Sequence, residues 1–243
     1  MIMSASWNPW HGCTKISAGC KYCYVYRQDE MYGADTSSRE VRKTANFSLP
    51  VKLKRDKSYK IESGKLVYTC FTSDFFVDGA DEWRAEAWAM IREREDLDFF
   101  IFTKRIDRFK IGLPDDWGNG YKNVIIGCTV ENQEMADYRL AIFQELPIKH
   151  KNIICQPLIE AIDIRKYLGG VELTVVGGES DKNARPLSYE WVLSIRQQCI
   201  SQNCAFEFRQ CGTHFIKDGK QYTLKVKDLG SQARKANINW KGC

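Results

Sequence analysis

Three cysteines stand close together in the run Trp7-Asn-Pro-Trp-His-Gly-Cys13-x6-Cys20-Lys-Tyr22-Cys23-Tyr24. One short loop can aim three such thiolates at one point. Three soft donors, with no fourth at matching spacing, suit an iron–sulfur cluster that leaves one iron open. An iron with a free position binds and activates a second molecule, whereas a cluster with four protein ligands passes electrons. The loop is therefore expected to do chemistry.

Such a loop needs a scaffold, and short apolar runs alternate with helix-like segments from residue 65 onward. The expected strands are Leu66–Phe71, Asp98–Phe102, Val124–Cys128, Ile153–Cys155, Leu173–Val176 and Ala205–Phe208. They are continuous and rich in β-branched or aromatic residues, as in a parallel sheet covered on both faces. Helical spacing appears over Asp81–Glu95 (Trp83, Ala87, Met90, Ile91), Glu131–Leu146 and Ser188–Ser201 (Trp191, Val192, Ile195, Cys199), with Ser188 as N-cap. Repeated β-then-α order predicts an α/β fold, a partial (β/α) barrel of about six parallel strands. Residues 1–220 are expected to form that domain, with the cluster loop at 11–24 and a C-terminal extension at 221–243. Asp35–Ser63 reads as a polar segment, a helix followed by a surface loop.

Each apolar run stops at a polar cluster. In order these are Thr72-Ser73-Asp74, Thr103-Lys104-Arg105, Thr129-Val-Glu131-Asn132, Gln156-Pro-Leu-Ile-Glu160, Gly177-Gly178-Glu179-Ser180 and Arg209-Gln210-Cys211. Carboxyl ends of parallel strands are where α/β barrels gather an active site.

The 243 residues carry 36 basic and 31 acidic side chains, a net charge of +5 compatible with an anionic substrate or nucleic acid. The densest basic run is Lys52-Leu-Lys54-Arg55-Asp-Lys57-Ser-Tyr-Lys60, read as a solvated loop, and a second lies at Lys225, Lys227, Arg234 and Lys235. Ten cysteines, a start without basic and apolar signal regions, and no apolar run of membrane length predict a cytoplasmic protein with no membrane partner. Three scattered histidines exclude a His-rich metal hydrolase.

The CxYCY ending of the cysteine loop, followed by this β/α series, resembles the radical SAM (S-adenosylmethionine) superfamily. The first cysteine interval is longer than the usual C-x3-C-x2-C. The pattern is most similar to an uncharacterised radical SAM family of phages and prophages. The shared segments are Asn8-Pro-Trp-His-Gly-Cys13, Ser17-Ala-Gly-Cys20-Lys-Tyr-Cys23-Tyr24, Thr103-Lys104-Arg105, Gly127-Cys-Thr129-Val-Glu131-Asn132, Gly177-Gly178-Glu179-Ser180 with Ala184-Arg185-Pro186 and Trp191, and Arg209-Gln210-Cys211-Gly212. Three positions depart from that family. Cys155-Gln156 stands where it has serine and glutamate, and Cys211 where it has tryptophan.

The resemblance implies a [4Fe-4S] cluster held by Cys13, Cys20 and Cys23, with SAM chelating the fourth iron. One electron, from a low-potential donor such as a ferredoxin or flavodoxin, would split SAM into methionine and a 5′-deoxyadenosyl radical that abstracts a hydrogen atom from substrate. Tyr22 would lie against the adenine. Tyr22-Cys23-Tyr24 with Ser73-Asp74 and Thr103-Lys104 also resembles spore photoproduct lyase; by that likeness Lys104 pairs with the SAM carboxylate while Ser73 and Thr129 bind its polar groups. Gly177, Gly178, Glu179 and Arg185 are implied at the site, for cosubstrate or substrate. Glu131, Gln156, Glu160 and Gln210 are substrate-side candidates, and Cys155 or Cys211 could return a hydrogen atom to a product radical. The same likeness favours a nucleobase, nucleotide or nucleic acid as substrate, against a small metabolite or a peptide.

Of the other cysteines, Cys70, Cys128 and Cys155 read as small buried hydrophobes. Cys199, Cys204 and Cys211 could instead ligate a second cluster. The rival from another class is a zinc-stabilised nucleic-acid-binding or adaptor protein, with His11, Cys13, Cys20 and Cys23 as a structural site.

Overall fold

A computed structural model describes residues 3–32 and 40–242. Seven strands form the main sheet: β1 (Ser4–Trp7), β2 (Leu66–Thr69), β3 (Asp98–Thr103), β4 (Val124–Thr129), β5 (His150–Cys155), β6 (Val171–Gly177) and β7 (Ala205–Gln210). Their order in the sheet is their order in the chain, as in a (β/α) barrel sheet. The pairs β1–β2, β2–β3, β5–β6 and β6–β7 are parallel. The strand count is seven rather than six, because Ser-Ala-Ser-Trp at β1 has no apolar run and buries only Trp7.

The helices are α1 (Tyr24–Met31), α2 (Asp81–Glu93), α3 (Gln133–Glu145), α4 (Tyr189–Ser201) and α5 (Leu229–Lys235). Helices α2, α3 and α4 match the expected segments to within two residues. Ser188 precedes α4, but its hydroxyl donates to Glu190 Oε2 (2.7 Å) instead of capping the helix backbone. The links from β3 to β4 and from β5 to β6 carry only single 3₁₀ turns, Ile106–Arg108 and Arg165–Tyr167, so β and α do not alternate throughout. Residues 40–63 form a short strand, a 3₁₀ turn and loops without an α-helix, while 35–39 lie outside the described residues. No helix among the described residues is long and apolar enough to cross a membrane.

The chain forms two compact units. The first comprises Met1–Thr14, Ser37–Gly127 and Leu146–His150; the second comprises Lys15–Thr36, Cys128–Glu145 and Lys151–Cys243. The first has an aromatic core in which Trp10, Phe75, Phe76, Trp88 and Phe109 are fully or almost fully buried. Each such ring contributes roughly 1.5–3 kcal/mol by burial. Arg84, also inside, donates to the carbonyls of Phe75 (3.1 Å) and Val77 (2.8 Å), fixing the chain just after β2.

The core of the second unit combines Ile153, Val175, Leu187, Val192 and Ile195 with Phe143, Phe206 and Phe208 and with Cys155, Cys199 and Cys204. A hairpin of β8 (His214–Lys217) and β9 (Lys220–Thr223) follows β7. Beyond it α5 packs on β7, and Trp240 pairs with Phe206 through two backbone hydrogen bonds of 2.7 and 2.9 Å. The C-terminal segment thus covers β7, whose exposed edge would otherwise offer unpaired backbone groups.

Candidate functional site

In the first unit the polar residues after β2 and β3 join into one network beneath Cys13. Asp74 is 6% exposed, and both of its oxygens are used. Oδ1 accepts from Phe76 N (3.0 Å) and Thr103 Oγ1 (2.8 Å); Oδ2 accepts from Lys104 N (2.9 Å) and lies 3.6 Å from Arg105 Nη1. Asp74 thereby ties two strand ends together and orients Arg105.

The Arg105 guanidinium, 5% exposed, donates to Cys13 Sγ (3.4 Å) through Nη1 and to Thr14 O (2.8 Å) and Oγ1 (2.7 Å) through Nη2. A planar fork serves several acceptors at once and sets a positive charge beside the sulfur. Ser73 Oγ donates to Gly12 O, and Gly12 N donates to Thr72 O (3.3 Å). Gly12 has φ +98°, and a Cβ there would stand 2.4 Å from Glu40 O, so the approach to Cys13 requires glycine. Lys104 is half-buried and makes no side-chain hydrogen bond or ion pair among the described residues.

In the second unit the strand ends grip the turn that carries Cys20. The 3₁₀ turn Ala18–Cys20 offers Gly19 N to Glu131 Oε1 (3.1 Å) and Ala18 O to Arg185 Nη2 (2.8 Å). Glu131 is 0% exposed and pairs with buried Arg139 (2.8 Å), which also donates to Thr129 O (2.8 Å). Glu179 holds Arg185 through both carboxylate oxygens and accepts from the Arg185 amide (2.8 Å). The Arg185 guanidinium carbon lies 5.7 Å from the Tyr22 ring centre.

Helix α1, which starts at the exposed Tyr24, is tied back by Arg27 to Ser180 O (3.0 Å) and Asp181 Oδ2 (2.9 Å). Gln156 and Gln210 lie on either side of Gly177, each with a carbon 3.0 Å from where a Cβ would stand. Gln210 Nε2 donates to Gly178 O (2.7 Å). Glu160 is exposed and accepts from Gln133 N (2.8 Å) at the start of α3.

The strand-end residues therefore divide by role. Asp74, Ser73, Glu131, Glu179 and Arg185 hold the cysteine stretch or its flanks through bonds within the protein. Lys104, Gln156 and Tyr22 are half-buried. Arg105, Arg139 and Gly19 take part in the arrangement, and sequence reasoning assigned none of them a role. The Thr103-Lys104-Arg105 run signalled Arg105, but nothing in the run shows which neighbouring cation turns inward.

Cys13, Cys20 and Cys23 are half-buried; Cys70, Cys128, Cys155, Cys199, Cys204 and Cys211 are buried. Burial pushes the Cys155 thiol well up and that of Cys211 up to about 11, so both stay protonated, the form that carries a transferable hydrogen. A hydrogen bond with Cys204 raises Cys199, which accounts for that pair within the core. Among the described residues no group of three or more His, Cys, Asp or Glu side chains is assembled so as to hold a metal ion. Thiolates are the soft donors that iron–sulfur clusters take.

No curated protein and no solved structure matches the chain. One family model does, over residues 2–239, and the chain belongs to that family, described as protein of unknown function (DUF5131).

Proposed function

We propose that the protein is a radical SAM enzyme whose cluster is held by Cys13, Cys20 and Cys23. The observation that carries this reading is the anchoring of the cysteine stretch by the buried Arg105 and Glu131 and the half-buried Arg185. Arg105 holds Cys13 and Thr14 within the first unit, and Glu131 and Arg185 hold the Ala18–Cys20 turn within the second. Buried charges are expensive unless paired, and a loop needing only to close a chain would not demand them.

A four-iron cluster held there would, with SAM, supply a 5′-deoxyadenosyl radical for hydrogen-atom abstraction. The chain's own residues do the rest. Lys104, a half-buried cation whose side chain has no hydrogen-bond or ion-pair partner among the described residues, would pair with the SAM carboxylate. Tyr22 would present its ring to the adenine, its back supported by Arg185. Electrons would come from a low-potential ferredoxin or flavodoxin.

Metal analysis after anaerobic purification tests the reading. Brown protein with about four iron and four sulfide per chain supports it; colourless protein with one zinc would favour the structural-zinc adaptor instead.

A further inference from the structure

The basic run Lys52–Lys60 is a latched hairpin. Leu53 and Tyr59 pair across it, Lys60 N donates to Lys52 O (2.8 Å), and Lys54 N donates to Ser58 O (2.7 Å). A three-residue turn, Arg55-Asp56-Lys57, closes it, braced by Asp56 Oδ1, which accepts from Ser58 N (2.9 Å). Arg94, fully buried after α2, fastens both ends by donating to Pro50 O and to Ile61 O (2.8 Å). Its guanidinium also stacks 4.0 Å from the centre of the Tyr59 ring.

Side chains alternate across a strand pair. Tyr59 turns toward Arg94 while its cross-strand partner Leu53 is half exposed, and alternation places Lys52, Lys54 and Lys60 on the opposite face, with Arg55 and Lys57 at the tip. Lys54 has a distant carboxylate, Glu62, at 3.8 Å. Lys52, Arg55, Lys57 and Lys60 are exposed and make no side-chain hydrogen bond or ion pair among the described residues. Lys57 has φ +67°, the left-handed position of such a turn, which glycine fills without steric cost. The chain thus accepts local strain to keep a cation at the tip, and mutual repulsion to keep five on one rigid element.

We propose that this hairpin is a nucleic-acid backbone-binding element, reading phosphates without base specificity. Because the hairpin is already ordered, binding does not have to freeze it, and each neutralised phosphate releases counterions. A lipid surface is the poorer fit, since Leu53, the hairpin's half-exposed apolar side chain, lies on the face away from the lysines. The inference does not depend on the cluster chemistry, and if both hold, the substrate of the radical is carried on a polynucleotide.

The test is fluorescence anisotropy of the full chain with a labelled 20-nucleotide single strand and the matching duplex, from 50 to 300 mM salt. The Lys52→Gln/Arg55→Gln/Lys57→Gln/Lys60→Gln variant should bind about tenfold or more weakly, with a log K against log salt slope shallower by roughly three. A charge-matched control, Lys110→Gln/Lys225→Gln/Lys227→Gln/Lys235→Gln, should bind like wild type. Lys57→Gly alone should raise the melting temperature yet weaken binding, a split that a purely structural hairpin would not show. Equal losses in hairpin and control variants would overturn the proposal. So would no binding by wild type at 50 mM salt, or capture by phosphatidylserine vesicles in its place. Binding kept by a Cys13→Ala/Cys20→Ala/Cys23→Ala variant would separate this result from the cluster's fate.

Discussion

Glu131 accepts a hydrogen bond from the Gly19 amide, one residue before the cysteine Cys20, at 3.1 Å. The two are in direct packing contact, since a Cβ on Gly19 would stand 2.9 Å from the Glu131 carboxyl carbon. A carboxylate with no exposure therefore supports the turn that carries a proposed cluster ligand, and Arg139 neutralises it from behind.

Glu131→Gln keeps an oxygen for Gly19 but strips Arg139 of its counter-charge. Breaking a buried pair from one side costs about 3–5 kcal/mol, and urea unfolding of the apoprotein should show a loss of that order. Gly19→Ala should cost about 1–3 kcal/mol by overpacking and speed hydrogen exchange at Cys20. A Glu131→Gln variant as stable as wild type would remove the pair from this role.

Arg105→Lys preserves charge but not the fork that reaches Cys13 and both oxygens of Thr14. Iron retained after anaerobic reconstitution should fall well below wild type, even where the circular dichroism spectrum is unchanged. Full loading would show that the guanidinium is not needed to present Cys13.

Lys104→Ala should weaken SAM binding at least about tenfold, the scale of one lost charge-assisted contact, without reducing the iron content. Equilibrium dialysis on the reconstituted protein measures it. Unchanged affinity would take Lys104 out of the carboxylate role.

The six apolar strands and three longer helices were legible because each buries a continuous run or a helical stripe. Strand β1 and helix α1 were not. β1 buries one tryptophan, and α1, Tyr-Val-Tyr-Arg-Gln-Asp-Glu-Met, buries only Val25 and is held by Arg27 at its side. The polar cluster after each apolar strand was legible too, but not the division of labour among its residues. Glu131 and Glu160 look alike in sequence; one is sealed inside against Arg139, and the other sits in solvent at the start of α3. Which charge a fold turns inward depends on partners distant in the chain.

The link between α1 and the chain after β6 should depend on pH. Hydrogen bonding from Asn183 N, then from Arg27, holds Asp181 below the usual carboxylate range. A depressed pKa in the folded state means that the stabilisation is fully present above the ordinary aspartate pKa and disappears as pH falls through the lowered one. The melting-temperature gap between wild type and Asp181→Asn should therefore be constant near pH 6 and close at low pH. A gap independent of pH down to 2.5 would contradict this.

The most direct test of the central claim is turnover without substrate. Reconstituted protein, reduced by dithionite under nitrogen and given SAM, should release 5′-deoxyadenosine and methionine in equal amounts, and Cys13→Ala, Cys20→Ala and Cys23→Ala should release neither. A fully loaded wild-type protein that leaves SAM intact, or a cysteine variant that still cleaves it, would contradict the account.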